Sequence, residues 1–290
     1  MAEAAVDAPI TKLAAALAQR EKAGDVVVAP FLTAGDPDMD FTFEALEAAQ
    51  AAGATLCELG VPYSDPIADG PVIQASYTRA LNAGGSLEGV FGLASRASAQ
   101  LSMPLVAMTS YSIIFRRGID RFAGEAATSG LTGLIVPDLP IEESAALSKA
   151  CRQSGLALVR LVTPTTPPER AARIASESTG FLYCVSVAGV TGERVSLPQQ
   201  LKDRVLWLKE QTDVPILVGF GISRPEQVRE VGEVADGVIV GSALVRHLEA
   251  AGGSGSDARQ AVLATIASHV GDLVTAGGSA RGSRTGGDGR

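Results

Sequence analysis

The chain has 290 residues, of which 46% are apolar and 19% are charged, and its formal net charge is −8. This apolar fraction is sufficient for the core of a globular protein. The negative charge argues against nucleic acid or an anionic membrane as the main partner, because both bind basic surfaces. Length alone would allow two domains, but a barrel of about 250 residues is routinely a single one.

The three cysteines are far apart, and no pair has CxxC spacing. Such a sparse set is typical of a reducing compartment and predicts neither a disulfide framework nor a zinc site. The amino terminus lacks a basic segment followed by an apolar core, and no apolar run reaches the ~20 residues of a membrane span. These features predict a cytoplasmic protein without a membrane anchor.

Short apolar runs alternate with amphipathic stretches along most of the chain. Residues 1–9 are small and Ala-rich and should be loosely ordered, and a helix is expected from Ile10 to Gly24. The apolar runs that follow are Val26–Leu32, Thr55–Leu59, Leu105–Met108, Leu134–Val136, Ala157–Val162, Phe181–Val185, Ile216–Phe220 and Val238–Val240. Runs without polar alternation are typical of parallel strands that are buried on both faces.

Each of these eight runs is followed by a stretch with helical periodicity. The amphipathic stretches are Phe41–Ala52, Ser86–Leu101, Asp120–Ser129, Glu142–Ser154, Glu169–Ser178, Leu197–Gln211, Pro225–Val234 and Ser242–Ala250, with a last helix at Asp257–Leu273. The alternation predicts a single α/β domain over residues 10–273, a (β/α)8 TIM barrel with an extra N-terminal helix. The Gly-rich turn of the rival doubly wound sheet is absent. Residues 274–290 are rich in Gly, Ser and Arg and predict a disordered tail.

The segment Glu58–Pro71 contains the strongest candidates for chemistry. Glu58 lies in an otherwise apolar run, where an unpaired carboxylate is costly to bury. At the carboxyl end of its strand it would have a raised pKa and carry protons near neutral pH; the alternative is a structural Glu paired with an arginine. Asp69 precedes a glycine and has the character of a turn residue, but a loop carboxylate opposite Glu58 would permit a push–pull proton mechanism.

Glycines follow three late strands, in Ala188–Gly192, Gly219–Ser223 and Gly241–Ser242. Glycine allows close backbone approach, and free amides at the start of a helix favour an anion. Barrels often bind phosphate at the loops after strands seven and eight, although barrel corners also use glycine. The combination predicts a phosphorylated small-molecule ligand. Since no cluster has metal-ligand spacing and every lysine falls in a helical stretch, the chemistry is expected to be acid–base catalysis by carboxylates.

Six segments together resemble the tryptophan synthase α subunit family. They are Pro30–Pro37, Glu58–Pro71, Asp138–Ser144, Gly189–Gly192, Gly219–Ser223 and Gly241–Ala243, and the resemblance extends from about Ile10 to Val270. It implies a carbon–carbon lyase of tryptophan biosynthesis that cleaves indole-3-glycerol phosphate to indole and glyceraldehyde 3-phosphate by a retro-aldol reaction. It also implies no cofactor in this chain and a pyridoxal-phosphate β subunit that receives the indole, in an α2β2 assembly.

The resemblance assigns roles to individual residues. Glu58 is similar to the family's general acid/base, and Asp69 to the carboxylate that accepts the indole N–H. Thr191 resembles the residue that bonds this aspartate when the lid closes, and Pro62 and Asp65 lie on the loop that contacts the partner. The phosphate is expected at the amides of Gly192, Gly221, Gly241 and Ser242. The indole pocket is expected at Phe31, Ser110, Ile135, Tyr183 and Phe220.

Ser110 departs from the family pattern, in which a Tyr follows Met-Thr and an Asn stands two positions further on. Here Met108 and Thr109 are followed by Ser110, Tyr111 and Ser112. Ser110 therefore replaces a ring of the indole pocket, and Ser112 replaces a polar residue near the partner interface. We expect a looser pocket and altered coupling to the β subunit, unless Tyr111 turns inward and fills the gap.

Three functions are compatible with these residues. The favoured one is a catalytic α subunit that feeds indole to a β subunit. The second is a stand-alone lyase that releases free indole, which activity without a partner would identify. The third is a catalytically silent activator of the β subunit, against which the intact Glu58, Asp69 and Thr191 count.

Overall fold

Eight parallel strands form a closed barrel in which each strand pairs with the next and the last pairs with the first. The structure, a computed structural model, describes residues 8–67, 69–185, 198–219, 221–252 and 255–280. The strands are β1 (Val27–Thr33), β2 (Cys57–Gly60), β3 (Leu105–Met108), β4 (Gly133–Ile135), β5 (Ala157–Val162), β6 (Leu182–Val185), β7 (Ile216–Gly219) and β8 (Gly237–Val240). The predicted TIM barrel is confirmed.

Helices surround this barrel. They are α1 (Pro9–Ala23), α2 (Met39–Ala51), α3 (Pro71–Asn82), α4 (Leu87–Gln100), α5 (Tyr111–Arg117), α6 (Ile119–Thr128), α7 (Ala145–Ser154), α8 (Pro168–Glu177), α9 (Gln199–Lys209), α10 (Pro225–Gly232), α11 (Ser242–Ala251) and α12 (Ser256–Ala280), and a short 3₁₀ turn, Ile141–Glu143, precedes α7. Apart from the partly buried Leu161, every strand residue is buried. The strands thus lie between the filled barrel interior and the helical layer, which explains their continuous apolar runs.

Two helices, α3 and α5, are not apparent from the sequence pattern. The first begins at Pro71, directly after the turn-like Asp69 and Gly70, because proline is well tolerated in the first turn of a helix. The second has only seven residues, starts at the N-cap Ser110 and ends at Gly118, whose φ is 92°. A helix of this length is too short to display a periodic apolar face. Both helices follow strands at the end of the barrel where the candidate residues lie.

The last helix is longer than the sequence suggests, since α12 continues to Ala280. Ala276 is buried, and a Cβ added to Gly277 would lie 3.0 Å from the Cβ of Val26. The small residues let the helix lie against the chain that leads into β1, where Val26 N–H donates to the Gly277 carbonyl at 3.4 Å. Residues 274–280 are therefore helical and do not belong to a disordered tail, whereas residues 1–7 and 281–290 lie outside the described part of the chain.

One described segment, Ser256–Gly278 of α12, is long and apolar enough to cross a membrane by length and composition alone. Core helices of globular proteins meet the same criterion. Here Val262, Ile266 and Val270 recur at helical spacing and are buried. The helix packs with this face against α2, α10 and α11, as expected for part of a barrel's outer layer.

Candidate active site

Glu58 projects into the interior of the barrel from β2. It lies opposite Phe31 of β1 and Val106 of β3 in the parallel register and is 1% exposed. Its charge acts on the hydroxyl of Tyr183, which lies on β6 at the far side of the barrel, and on that of Tyr77. Side chains of β2 and β6 can interact in this way only across the interior, so Glu58 faces inward near the carboxyl end of its strand.

The Glu58 carboxyl has an environment that favours its neutral form. Burial is the main cause, and the charge of Asp69 adds to it; together they raise the pKa of Glu58 to about 8. Among the described residues, Oε1 of Glu58 has no hydrogen-bond partner. The arrangement therefore disfavours the alternative of a structural Glu neutralised by arginine, and it leaves a protonated carboxyl that can exchange its proton near neutral pH.

Asp69 follows β2 in the loop that leads to α3. The Asp69 N–H donates to the Pro66 carbonyl at 3.1 Å, and the Asp69 carbonyl accepts from Gln74 Nε2 at 2.8 Å, so both sides of the Asp69 backbone are held. Burial raises the pKa of Asp69 to about 6, partly opposed by a hydrogen bond from Tyr63, and the charge of Asp138 raises it further. Because the pKa values of Glu58 and Asp69 differ, the two carboxyls are suited to different roles in one proton-transfer reaction.

Three of the chain's four tyrosines surround these carboxyls. The rings of Tyr63 and Tyr77 have centroids 5.5 Å apart, and a Cβ on Gly60 would lie 2.9 Å from the Tyr77 hydroxyl. A Cβ on Gly219 would overlap the ring of Tyr183. The glycines at these strand ends thus make room for inward aromatic rings. Tyr63 and Tyr77 were missed in the sequence, although Tyr63 lies within the Glu58–Pro71 segment.

The remaining predicted pocket residues that the structure describes lie at the same end of the barrel as Glu58 and Asp69. Phe31 is buried on β1 with its ring against Gly60, and Ile135 is buried at the end of β4. Tyr183 is buried on β6. An apolar ring bound beside Glu58 would therefore meet aromatic and aliphatic side chains. Three other predicted site residues, Thr191, Gly192 and Phe220, lie outside the described residues.

The loops after β7 and β8 provide backbone positions suited to an anion. Gly221 has a φ of 83°, and no described residue other than its chain neighbours lies within 4 Å of the position that a Cβ there would take. Gln227 fixes this loop, because its Nε2 donates to the Gly221 carbonyl at 3.0 Å and its Oε1 accepts from Ser223 N–H at 2.9 Å. After β8, Gly241 is the N-cap of α11 and Ser242 is its exposed first residue. Amides at a helix start favour a phosphate.

Comparison with known proteins connects this geometry to a family. The model of the family described as tryptophan synthase alpha chain matches residues 15–273. The chain belongs to this family. It is 53% identical over 251 residues to the tryptophan synthase alpha chain of Rhodopirellula baltica, which covers 84% of this chain and 89% of that protein. The family's reaction is the cleavage of indole-3-glycerol phosphate, and the chain is a lyase of tryptophan biosynthesis.

Solved structures agree with this assignment. Tryptophan synthase subunit alpha from Legionella pneumophila has a TM-score of 0.82 at 31% identity, covering 91% of this chain and 97% of that one. A chain of ligand-free tryptophan synthase from M. tuberculosis has a TM-score of 0.81 at 30% identity, covering 92% and 98%. The alpha-chain name and the structures of tryptophan synthase point to a β subunit as the partner.

At the position where the resemblance leads us to expect a tyrosine, Ser110 joins two loops of the barrel. Its hydroxyl donates to Asp138 Oδ2 at 2.7 Å, and it accepts from Ser112 N–H at 3.2 Å as the N-cap of α5. The Tyr111 N–H donates to Asp138 Oδ1 at 2.9 Å. The Tyr111 ring is half-buried beside Phe115, with centroids 6.1 Å apart. Ser110 therefore has a structural function besides leaving room in the predicted pocket.

We expect Ser110→Tyr to bind indole-3-glycerol phosphate more tightly than the matched variant Ser110→Ala. Both variants lose the cap and the bond to Asp138, but only tyrosine returns an aromatic surface. Partial burial of such a ring is expected to lower KM about tenfold, with less change in kcat. Steady-state kinetics of the two variants would measure this difference. If Ser110→Tyr is worse than Ser110→Ala, the space is already filled and the predicted open pocket is wrong.

The two residues predicted to contact a partner, Pro62 and Asp65, differ in their exposure. Pro62 is buried, whereas Asp65 is exposed and accepts from the Ser64 hydroxyl at 2.6 Å. Two large apolar side chains near the mouth of the barrel are also exposed: Ile67, in the same loop, and Phe115 of α5. Ile67 follows β2 and Phe115 follows the neighbouring β3, so both lie at the same end of the barrel.

Proposed function

We propose that Glu58 and Asp69 perform the retro-aldol cleavage of indole-3-glycerol phosphate in this chain. The observation that carries the proposal is the pair of inward carboxyls whose pKa values are about 8 and about 6. At neutral pH the first is mainly protonated and the second mainly ionised. The reaction needs such a pair, because an acid must protonate the ring carbon and an anion must stabilise the positive charge beside the ring nitrogen.

The proposed reaction leaves Glu58 protonated at the end, as it was at the start. Protonated Glu58 gives its proton to the ring carbon that bears the glycerol chain, while Asp69 accepts the indole N–H and stabilises the positive charge of the ring. Glu58, now a carboxylate, takes the proton of the adjacent glycerol hydroxyl. The electrons of that O–H bond form the aldehyde carbonyl, and those of the broken carbon–carbon bond return to the ring. No cofactor bound to this chain takes part.

The other proposed contacts follow the substrate's shape. The indole ring would lie among Phe31, Ile135, Tyr183 and Phe220, and Ser110 would leave room at its edge. The phosphate would bind the amides of Gly192, Gly221, Gly241 and Ser242. The positive φ of Gly221, the lack of described neighbours at its Cβ position and the helix start at Ser242 support this part. Thr191 would bond Asp69 when the substrate is enclosed.

We propose further that this chain pairs with a β subunit in an α2β2 assembly of the cytoplasm. The β subunit would hold the pyridoxal phosphate and receive the indole. Pro62 and Asp65, with the exposed Ile67 and Phe115, would form part of the contact, and their exposed apolar area supports a protein partner.

A lyase assay tests the proposed function. The purified chain is mixed with indole-3-glycerol phosphate, and indole and glyceraldehyde 3-phosphate are measured with and without a tryptophan synthase β subunit. We expect equal amounts of both products, formed faster with the partner. Full activity without it would identify a stand-alone lyase. Activation of the β subunit without any cleavage would identify a silent activator and contradict the proposal.

The pH dependence of kcat/KM should follow the two carboxyls. Glu58 must be protonated to donate, so activity should fall as pH rises through about 8. Asp69 must be ionised, so activity should also fall as pH decreases through about 6. Because the groups interact, the two limbs report the pair. A profile that keeps rising above pH 9 would contradict a protonated Glu58 as the starting acid.

A further inference from the structure

Tyr77 is a buried side chain of the site that takes no part in the proton transfers of Glu58 and Asp69. It lies on α3, is 1% exposed, and its hydroxyl has no hydrogen-bond partner among the described residues. Burying a polar group without a partner destabilises a fold, so such a group is uncommon unless something else binds it. Four other buried side-chain atoms have no partner among the described residues, namely Thr55 Oγ1, Glu58 Oε1, Thr109 Oγ1 and Arg204 Nε, and of these only Glu58 has a carboxyl group.

The Tyr77 hydroxyl lies on the same inner face as Glu58. It is 2.9 Å from the position that a Cβ of Gly60 would take, and Gly60 is two residues after Glu58 on β2. Residues two apart in a strand point to the same side and are about 6.5 Å apart. Burial and the charges of Asp69, Tyr63 and Glu58 raise the pKa of Tyr77 well above its usual value. The hydroxyl therefore stays protonated and acts as a donor.

Neighbouring residues hold Tyr77 in this position. Arg79, two residues later in α3, donates to Asp36 in the loop after β1, with Nη2 2.6 Å from Oδ2. The Ser76 hydroxyl donates to the same carboxylate, and its oxygen lies 2.8 Å from the hydroxyl oxygen of Thr33. Asp36 and Ser76 are fully buried. These bonds fix the middle of α3 to the end of β1 and hold the phenol in the interior, away from water.

We propose that Tyr77 is a further catalytic residue, whose hydroxyl donates to the glycerol oxygen that Glu58 deprotonates. The inference rests on the proposed function. A substrate hydroxyl placed between the two side chains would donate to Glu58 and accept from Tyr77, and so would satisfy both unpaired groups. As the proton moves to Glu58, negative charge grows on this oxygen until the carbon–carbon bond breaks. The bond from Tyr77 is strongest at that stage and lowers the barrier.

Tyr77→Phe removes only the hydroxyl and keeps the ring. We expect kcat for indole-3-glycerol phosphate to fall about 100-fold with little change in KM, as for loss of one donor to a developing charge. Indole-3-propanol phosphate, which lacks the glycerol hydroxyls, should bind the variant and the wild type equally. The melting temperature should not decrease, since the removed atom has no partner in the described structure.

Other outcomes overturn the inference in recognisable ways. Activity of Tyr77→Phe within about threefold of wild type would show that the hydroxyl does not act on the reaction. Weaker binding of indole-3-propanol phosphate would show a structural role. A shifted alkaline limb of the pH profile with an unchanged maximum would show that Tyr77 acts on Glu58 and not on the substrate. A wild-type chain without lyase activity would overturn the proposed function as well. If the wild type is active and only the Tyr77→Phe results differ from expectation, only the role of Tyr77 is overturned.

Discussion

Glu58→Gln should reduce kcat/KM for indole-3-glycerol phosphate by about 10³-fold or more, near the upper part of the range for acid–base groups. Glutamine has the same shape but can neither give a proton to the ring carbon nor accept one from the hydroxyl. The fold should survive, because the buried Oε1 has no partner to lose among the described residues. The melting temperature is expected to stay the same or rise, since an unpaired carboxyl is removed from the interior.

Asp69→Asn is the matched comparison for this result. Asparagine can still accept the indole N–H but has no charge to stabilise the cationic ring, so its effect should be large and still smaller than that of Glu58→Gln. The two variants should also differ in pH dependence. Glu58→Gln should lose the alkaline limb near pH 8, and Asp69→Asn the acid limb near pH 6. A Glu58→Gln enzyme within about tenfold of wild type would contradict the assignment.

The sequence predicts the barrel well because its strands are buried on both faces. Eight continuous apolar runs separated by amphipathic stretches leave few alternatives, and the observed strands begin and end within two residues of those runs. Glu58 was recognisable for the same reason, as a carboxylate in a run where every neighbour must be apolar. These features depend on local sequence, which is why a single chain reveals them.

Features that depend on tertiary contacts could not be predicted. Tyr77 belongs to a helix hidden by the turn-like Asp69 and Gly70, and only the folded chain brings its hydroxyl beside Gly60. The end of α12 has the composition of a flexible tail, yet its small residues fit against Val26. The sequence shows Ser110 only as the loss of an aromatic ring. Its hydrogen bond to Asp138 could not be predicted, because it joins loops that are distant in sequence.

Gly221→Val is expected to have a large effect on substrate binding, through the phosphate. Gly221 has a φ of 83°, which a β-branched residue adopts only with strain of about 1–3 kcal/mol. A side chain there would also enter the region after β7 that no described residue fills, where the phosphate is proposed to bind. Loss of even one or two charge-assisted hydrogen bonds should raise KM about 100-fold. Ser242→Ala keeps its backbone amide and should change KM only modestly.

Two controls separate anion binding from strain. Gly221→Ala has the same unfavourable φ with a much smaller side chain, so a similar loss of melting temperature with a smaller rise in KM would identify the side chain as the obstacle. Indole-3-glycerol, the substrate without its phosphate, should be cleaved equally slowly by wild type and Gly221→Val, because neither can use the anion site. If Ser242→Ala raises KM as much as Gly221→Val, the phosphate depends on a side chain and the backbone site is wrong.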